Sequence, residues 1–139
     1  GNIQNDGHIE TLSKIIFLLK KKYNKTFNIH IIGHDPENVI KKISNPNLIY
    51  HGYLKNFSDV ESIFKKCSFG SALYDFGVNK KKIILSAKIN EYFSHSIPVI
   101  ASNNSYEKKI INKKKLGYCS NSIVKICNFI NSCSINKKK

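Results

Sequence analysis

Residues 86–102, SAKINEYFSHSIPVIAS, constrain this chain more than any other stretch, because they demand a helix, a tight turn and a buried strand in quick succession. Ala87, Ile89, Tyr92 and Phe93 recur at helical intervals. Pro98 cannot continue a helix, and Val99-Ile100-Ala101 is a short apolar run closed by Ser102-Asn103-Asn104. Lys88 and Glu91 stand three residues apart, so they share a helix face that is not the apolar stripe.

The same alternation runs through the rest of the chain. Ile9, Leu12, Ile15, Ile16 and Leu19 have helical spacing and lead into Lys20-Lys21-Lys22, a charge run suited to a helix carboxyl end. Phe27 to Ile32 reads as a short strand that stops at Gly33, and His34-Asp35-Pro36-Glu37 reads as a turn into a short helix near Asn38. Leu48-Ile49-Tyr50 is the next strand and His51-Gly52 its exit, with Ser58 or Asp59 expected to cap a helix carrying Val60, Ile63 and Phe64. Ser71 to Tyr74 is a further strand, and the lysine-rich segment from Asp75 to Leu85 is a loop long enough to be functional. A helix near Tyr106 to Asn112, a strand at Gly117-Tyr118-Cys119 and a helix carrying Ile123, Ile126, Cys127 and Ile130 complete the pattern. Short continuous apolar strands alternating with helices, and no hairpin turns, define an α/β, Rossmann-like parallel sheet with helices on both faces. In such a sheet ligands bind beyond the carboxyl ends of the strands, here Gly33, His51-Gly52, Tyr74-Asp75 and Ser102.

Composition narrows the partners. The formal net charge is +14, yet all the basic residues are lysine, and Asn and Ile are abundant, as an A+T-rich genome would produce. A nucleic-acid surface is expected to use some arginine, with aromatic residues interleaved, so specific nucleic-acid binding is not expected. The lysine clusters at 20–22, 80–82, 113–115 and 137–139 read first as solvated helix ends and loops, and second as a footprint for an anionic membrane surface. Cys67, Cys119, Cys127 and Cys133 have no metal-site or redox-pair spacing and read as reduced, mostly buried thiols, as in a cytoplasmic protein. His30, His34 and His95 show no metal-site spacing either, so no metal is assigned. At 139 residues the chain is long enough for one domain with its own core.

The helix-turn-strand stretch also resembles the nucleotide-binding domain of retaining, two-domain (GT-B) glycosyltransferases of the glycogen-synthase-like family 4, whose hallmark is Lys-x-x-Glu-Tyr-hydrophobic-x-x-Gly-x-Pro-Val-Ile-Ala. Lys88, Glu91, Tyr92, Phe93, Pro98, Val99, Ile100 and Ala101 match it, and Ser96 replaces its glycine. Gly1-Asn2-Ile3, Ile31-Ile32-Gly33 and His51-Gly52-Tyr53 fall in family order, which extends the resemblance over nearly the whole chain. It implies one half of a GT-B enzyme, with residues 1–139 as the donor-binding domain, the acceptor domain outside this chain and the first strand truncated. The implied donor is a UDP- or GDP-sugar, and the implied acceptor a glycan or a lipid-linked precursor in bacterial surface polysaccharide synthesis. Such an enzyme is a hexosyltransferase that uses no metal, works in the cytoplasm or at the inner face of the membrane, and has no turnover as this domain alone.

The resemblance also implies roles, and each has a plainer counterpart. Glu91 would accept hydrogen bonds from the ribose hydroxyls, or else it is a surface partner of Lys88. Lys88 would stabilise the leaving diphosphate, or else it is one surface lysine among many. The Gly1-Asn2 turn would let backbone approach the diphosphate, and His51-Gly52-Tyr53-Leu54 would cradle the nucleobase, although a strand exit explains that glycine equally well. Asp75 would face the sugar, or is an ordinary loop residue. His8 would lie near the phosphates, or merely starts a helix. A reading from another class is a non-catalytic basic Rossmann-like module that binds a membrane surface or nucleic acid through its lysines.

Overall fold

The computed structural model describes residues 8–35, 38–43, 45–73, 87–103, 111 and 116–137. Helix α1, His8–Tyr23, buries the stripe Ile9, Leu12, Ile15, Ile16 and Leu19, while Phe17, off that stripe, is exposed. Lys20, Lys21 and Lys22 occupy its last turn, where cations complement the unpaired carbonyls. Asn24, with φ 54°, then turns the chain out of the helix.

Strand β1, Ile29–Ile32, pairs in parallel with β2, Leu48–Gly52. Between them lies the one-turn helix α2, Val39–Lys42, and after them α3, Phe57–Phe64. Strand β3, Gly70–Ala72, helix α4, Ala87–Ser94, strand β4, Val99–Ala101, and strand β5, Gly117–Cys119, follow, and helix α5, Ile123–Lys137, comes last. The second sheet has the order β3-β4-β5 and is parallel throughout.

The alternation along β4 shows how the layers are arranged. Val99 and Ala101 are fully buried on one side, in a cluster with Ile111, Tyr92, Phe93 and Cys119. Ile100 points the other way, into the main core, where it joins α1, Ile31 of β1, Leu48 of β2, and Ile126, Cys127 and Ile130 of α5. Neighbouring residues of a strand face opposite sides of the sheet, so helices cover both faces of β4, as a parallel sheet requires. The fold is the expected α/β arrangement of parallel strands and helices. Both sheets feed residues into the same main core: Ile31 and Leu48 come from the first, Ile100 from the second.

α1 and α5 pack on each other, and the end of α1 is tied to α5 by polar contacts. Lys22 Nζ and the Tyr23 hydroxyl both donate to Asn128 Oδ1, the former at 3.1 Å. Cys127 is buried beneath α1, and burial pushes its thiol up to about 11, so it stays protonated and behaves as a small hydrophobe.

Several expected details differ. β1 begins at Ile29, not Phe27. The cap of α3 is Asn56, whose extended backbone places its carbonyl to accept from the Asp59 and Val60 N–H groups, so Ser58 and Asp59 lie inside the helix. Of the four thiols only Cys127 is buried, and Cys67, Cys119 and Cys133 are half-buried. The 75–85 loop lies outside the described residues. So does the helix expected near 106–112, except Ile111, which is helical and buried.

Candidate functional site

The carboxyl ends of β1 and β2 meet in one compact structure. The register runs Ile31 against Tyr50 and then Ile32 against Gly52, so His51 is an extra residue, a bulge in a parallel pair. Bulges re-aim side chains and are uncommon in parallel pairs. Here the bulge turns the His51 ring onto His30, with Nδ1 of His30 2.8 Å from Nε2 of His51 and the ring centroids 5.1 Å apart. Gly52 takes φ 73° with open space where a Cβ would stand, so the backbone conformation and not crowding calls for glycine.

Two further bonds lock the ends together. The Gly33 N–H donates to the Gly52 carbonyl at 2.9 Å, and the Tyr50 hydroxyl donates to the Gly33 carbonyl at 2.6 Å. Beyond them the His34 and Tyr53 rings stack, with centroids 4.4 Å apart and planes 12° from parallel. Asp35 then fixes the exit toward α2. Its two carboxylate oxygens accept from the Val39 and Ile40 N–H groups at 2.8 and 3.0 Å, which satisfies donors that a helix start leaves open.

One proton shared between two rings explains the behaviour of the histidine pair. One ring must donate and the other accept, so the bond exists only while at least one imidazole is neutral. Burial, the neighbouring His51 and the Lys66 ammonium together hold His30 below the ordinary value of 6.5.

The helix-turn-strand stretch forms as its sequence requires. Tyr92 lies across Gly70 so closely that a Cβ there would stand 2.3 Å from its ring carbons, and its hydroxyl reaches the Ser71 carbonyl at 3.4 Å. Phe64 packs on Tyr92 at 5.7 Å and edge-on to His95 at 4.9 Å, which sets α3 against α4. Ser96 is left-handed, with φ 57°. Its N–H donates to the Phe93 carbonyl at 3.0 Å, and the Ile97 N–H donates to the Tyr92 carbonyl at 2.9 Å. This pair of bonds is the Schellman ending of a helix. The Glu91 carbonyl, a turn earlier, accepts from the Ser94 hydroxyl at 2.7 Å and lies 2.9 Å from Nδ1 of His95.

The residues singled out from the sequence fall at several places. Glu91 is exposed on α4, and among the described residues its carboxylate has no hydrogen-bond or ion-pair partner. α4 leads through a tight turn into β4, so it runs counter to the strands, and Lys88 stands one turn nearer their carboxyl ends than Glu91 does. The Lys88 side chain lies outside the described residues, as do Gly1, Asn2 and Asp75. His8 is the first residue of α1. His51, Gly52, Tyr53 and Leu54 form the end of β2 and the turn after it, and no hydrogen bond or ring contact joins them to Glu91. Sequence reasoning did not foresee His30 and His34 at this site. Their signal was positional: His30 lies within β1 and His34 two residues after its end, beside the strand whose exit carries His51 and Tyr53.

Among the described residues, no group of three or more His, Cys, Asp or Glu side chains could hold a metal ion. Nor is any described helix long and apolar enough to cross a membrane.

An open parallel-sheet edge of this kind, carrying bulged and capped loops, is where α/β domains place small ligands. Residues 9–139 match the family model described as glucosyltransferase 3-like, C-terminal domain, and the chain belongs to that family. It is therefore a glycosyltransferase-related domain. No curated protein and no solved structure matches the chain.

Proposed function

We propose that this domain binds the nucleotide diphosphate sugar of a glycosyltransferase, as the donor half of a two-domain GT-B enzyme of the glycogen-synthase-like family 4. The observation that carries this reading is family membership across residues 9–139, a span that contains the whole helix-turn-strand stretch. In this reading Glu91 accepts hydrogen bonds from the ribose hydroxyls, and its exposed position on α4 is suited to that. The turn at His51-Gly52-Tyr53-Leu54 cradles the base, and Gly1-Asn2 lies by the diphosphate. As the anomeric C–O bond breaks, negative charge gathers on the departing diphosphate, and Lys88 with nearby backbone N–H groups stabilises it. A second domain holds the acceptor, a glycan or lipid-linked precursor of a bacterial surface polysaccharide. The exposed lysines at the end of α1 hold the enzyme near an anionic inner membrane face.

Glu91 provides the test. If its carboxylate takes two ribose hydroxyls, Glu91→Ala weakens binding of the preferred nucleoside diphosphate by about 2 to 3 kcal/mol, with Glu91→Gln intermediate. Stability changes by no more than about 0.5 kcal/mol, as at an ordinary surface site. Calorimetric titration of UDP and GDP beside thermal melts of the three proteins measures both. Unchanged affinity in a protein that binds nucleotide removes Glu91 from the site.

A further inference from the structure

Three contacts hold the carboxyl ends of β1 and β2 together: the Gly33–Gly52 backbone bond, the bond from the Tyr50 hydroxyl to the Gly33 carbonyl, and the bond between the His30 and His51 rings. The pairing there is out of step. With His51 inserted as an extra residue, the ladder is interrupted just before its end, so the end of β2 draws less support from regular pairing than the strand before it. Of the three contacts, only the histidine pair changes its charge between about pH 5 and 8. The first proton it takes up leaves the contact intact, because a charged ring can still donate to a neutral one. The second removes the acceptor and leaves two positive donors facing each other across 2.8 Å. Both rings are half-buried, so water can deliver that proton.

We propose that the His30–His51 pair is a proton-operated latch on the carboxyl edge of β1 and β2: closed while at least one ring is neutral, it opens when both are charged and releases the turn at His51-Gly52-Tyr53-Leu54 from β1. The groups whose charge acts on His30 are His51 on β2 and the Lys66 ammonium just after α3, and both oppose a positive His30. With burial they hold it below 6.5, so the latch is closed at and above that value and opens as pH falls beneath it. The opening is local. Ile29, at the other end of β1, keeps its bond to the Asn47 carbonyl, and Val99 of β4 keeps its bond to the Leu116 carbonyl. Acid then regulates whatever binds at the turn. That consequence, unlike the latch itself, rests on the reading that the domain binds a nucleotide there: the donor is held at neutral pH and let go in acid.

Amide hydrogen exchange of the 139-residue chain, followed by NMR at about pH 7.5 and about pH 5 and expressed as protection relative to an unstructured chain, reads the latch directly. The ring signals of His30 and His51 report their protonation in the same samples. Protection of the Gly33 amide falls about tenfold on acidification, while that of Ile29 and Val99 stays within about twofold. In His30→Gln, which keeps a polar side chain and cannot take up charge, Gly33 protection is the same at both pH values. Gly33 protection that survives while both rings are charged overturns the proposal, and that comparison needs no variant. A ring still neutral at about pH 5 also overturns it, since the latch would have no working range. An equal loss at Ile29 and Val99 means general unfolding, and an undiminished fall in folded His30→Gln assigns the fall to other groups; either result refutes the latch. Calorimetric titration of UDP and GDP at the same two pH values tests the consequence. Affinity for the preferred nucleotide falls further on acidification in the unaltered chain than in His30→Gln, a comparison that removes the ligand's own protonation. An equal fall in both refutes the regulation. A chain that binds neither nucleotide at either pH loses the donor-site reading, and the exchange data still decide the latch.

Discussion

Ser96 has a conformation that its side chain disfavours. A left-handed backbone costs a residue with a Cβ about 1 to 2 kcal/mol, and the glycine found there in the family that the chain resembles would avoid that cost. Both Schellman bonds form nonetheless, and Ile97 buries its side chain just beyond, so the surroundings hold Ser96 in place. Ser96→Gly should therefore stabilise the domain by about 0.5 to 1 kcal/mol, the relief being partly offset by the greater freedom of glycine in the unfolded chain. Urea unfolding measures it as a higher midpoint at unchanged slope; an unchanged or lower midpoint would mean that the serine hydroxyl contributes something the backbone does not reveal. The turn was legible in advance because Pro98 and the helical spacing before it bracket the exit. The positive φ was legible only through the resemblance, since nothing in the residues themselves places a serine in that region.

Elements show where sequence reading reaches its limit. α1, β2 and the helix-turn-strand stretch could be placed because each carries its own period and stop signal. The His30–His51 contact could not, because it depends on a one-residue slip in strand pairing, and register is a property of two segments together. The same holds for Asp35, which caps α2 from four and five residues away and looks like an ordinary turn residue in the sequence. The cap of α3 was misplaced for a related reason: Asn56, Ser58 and Asp59 are all good cap residues, and only backbone geometry chooses among them. The histidine pair gives the β1–β2 element a dependence on pH. His30 is held below 6.5 in the folded chain, so the unfolded chain takes up a proton first. Its contribution is complete above that value and is lost as pH falls through 6.5 toward the folded pKa. Thermal melts between pH 7.5 and 5 should show the midpoint falling over that interval, about as expected for one histidine, and His30→Gln should flatten the fall. A fall that is undiminished in the variant would assign it to other groups.

At the scale of the whole molecule, one core joins both sheets and the first and last described helices. Leu19 is 1% exposed at the centre of that core. Leu19→Ala should cost about 2 to 5 kcal/mol, a large part of the roughly 5 to 15 kcal/mol that holds a domain together. Denaturant unfolding checks it, and a loss below about 1 kcal/mol would show that α1 is not integral to the core. The layered architecture was readable from alternating helix and strand periods. The meeting of α1 with α5 was not, because apolar stripes say that a helix packs and leave open what it packs on.

Charge is the whole-molecule property that most directly opposes the donor-domain account, since +14 could by itself draw any polyanion to the surface. The two explanations differ in their response to salt and to ligand identity. A lysine footprint releases counterions, fades steeply with added salt and ignores the base, whereas a built site discriminates between bases and keeps most of its affinity. The deciding measurement is a calorimetric titration of UDP, GDP and a short DNA duplex into the 139-residue chain at low and physiological salt. The donor-domain account predicts that one nucleoside diphosphate binds in preference to the other at both salt concentrations, while the duplex binds weakly and is released at the higher one. Equal binding of both nucleotides that disappears with salt, or tight duplex binding that survives it, would contradict the account.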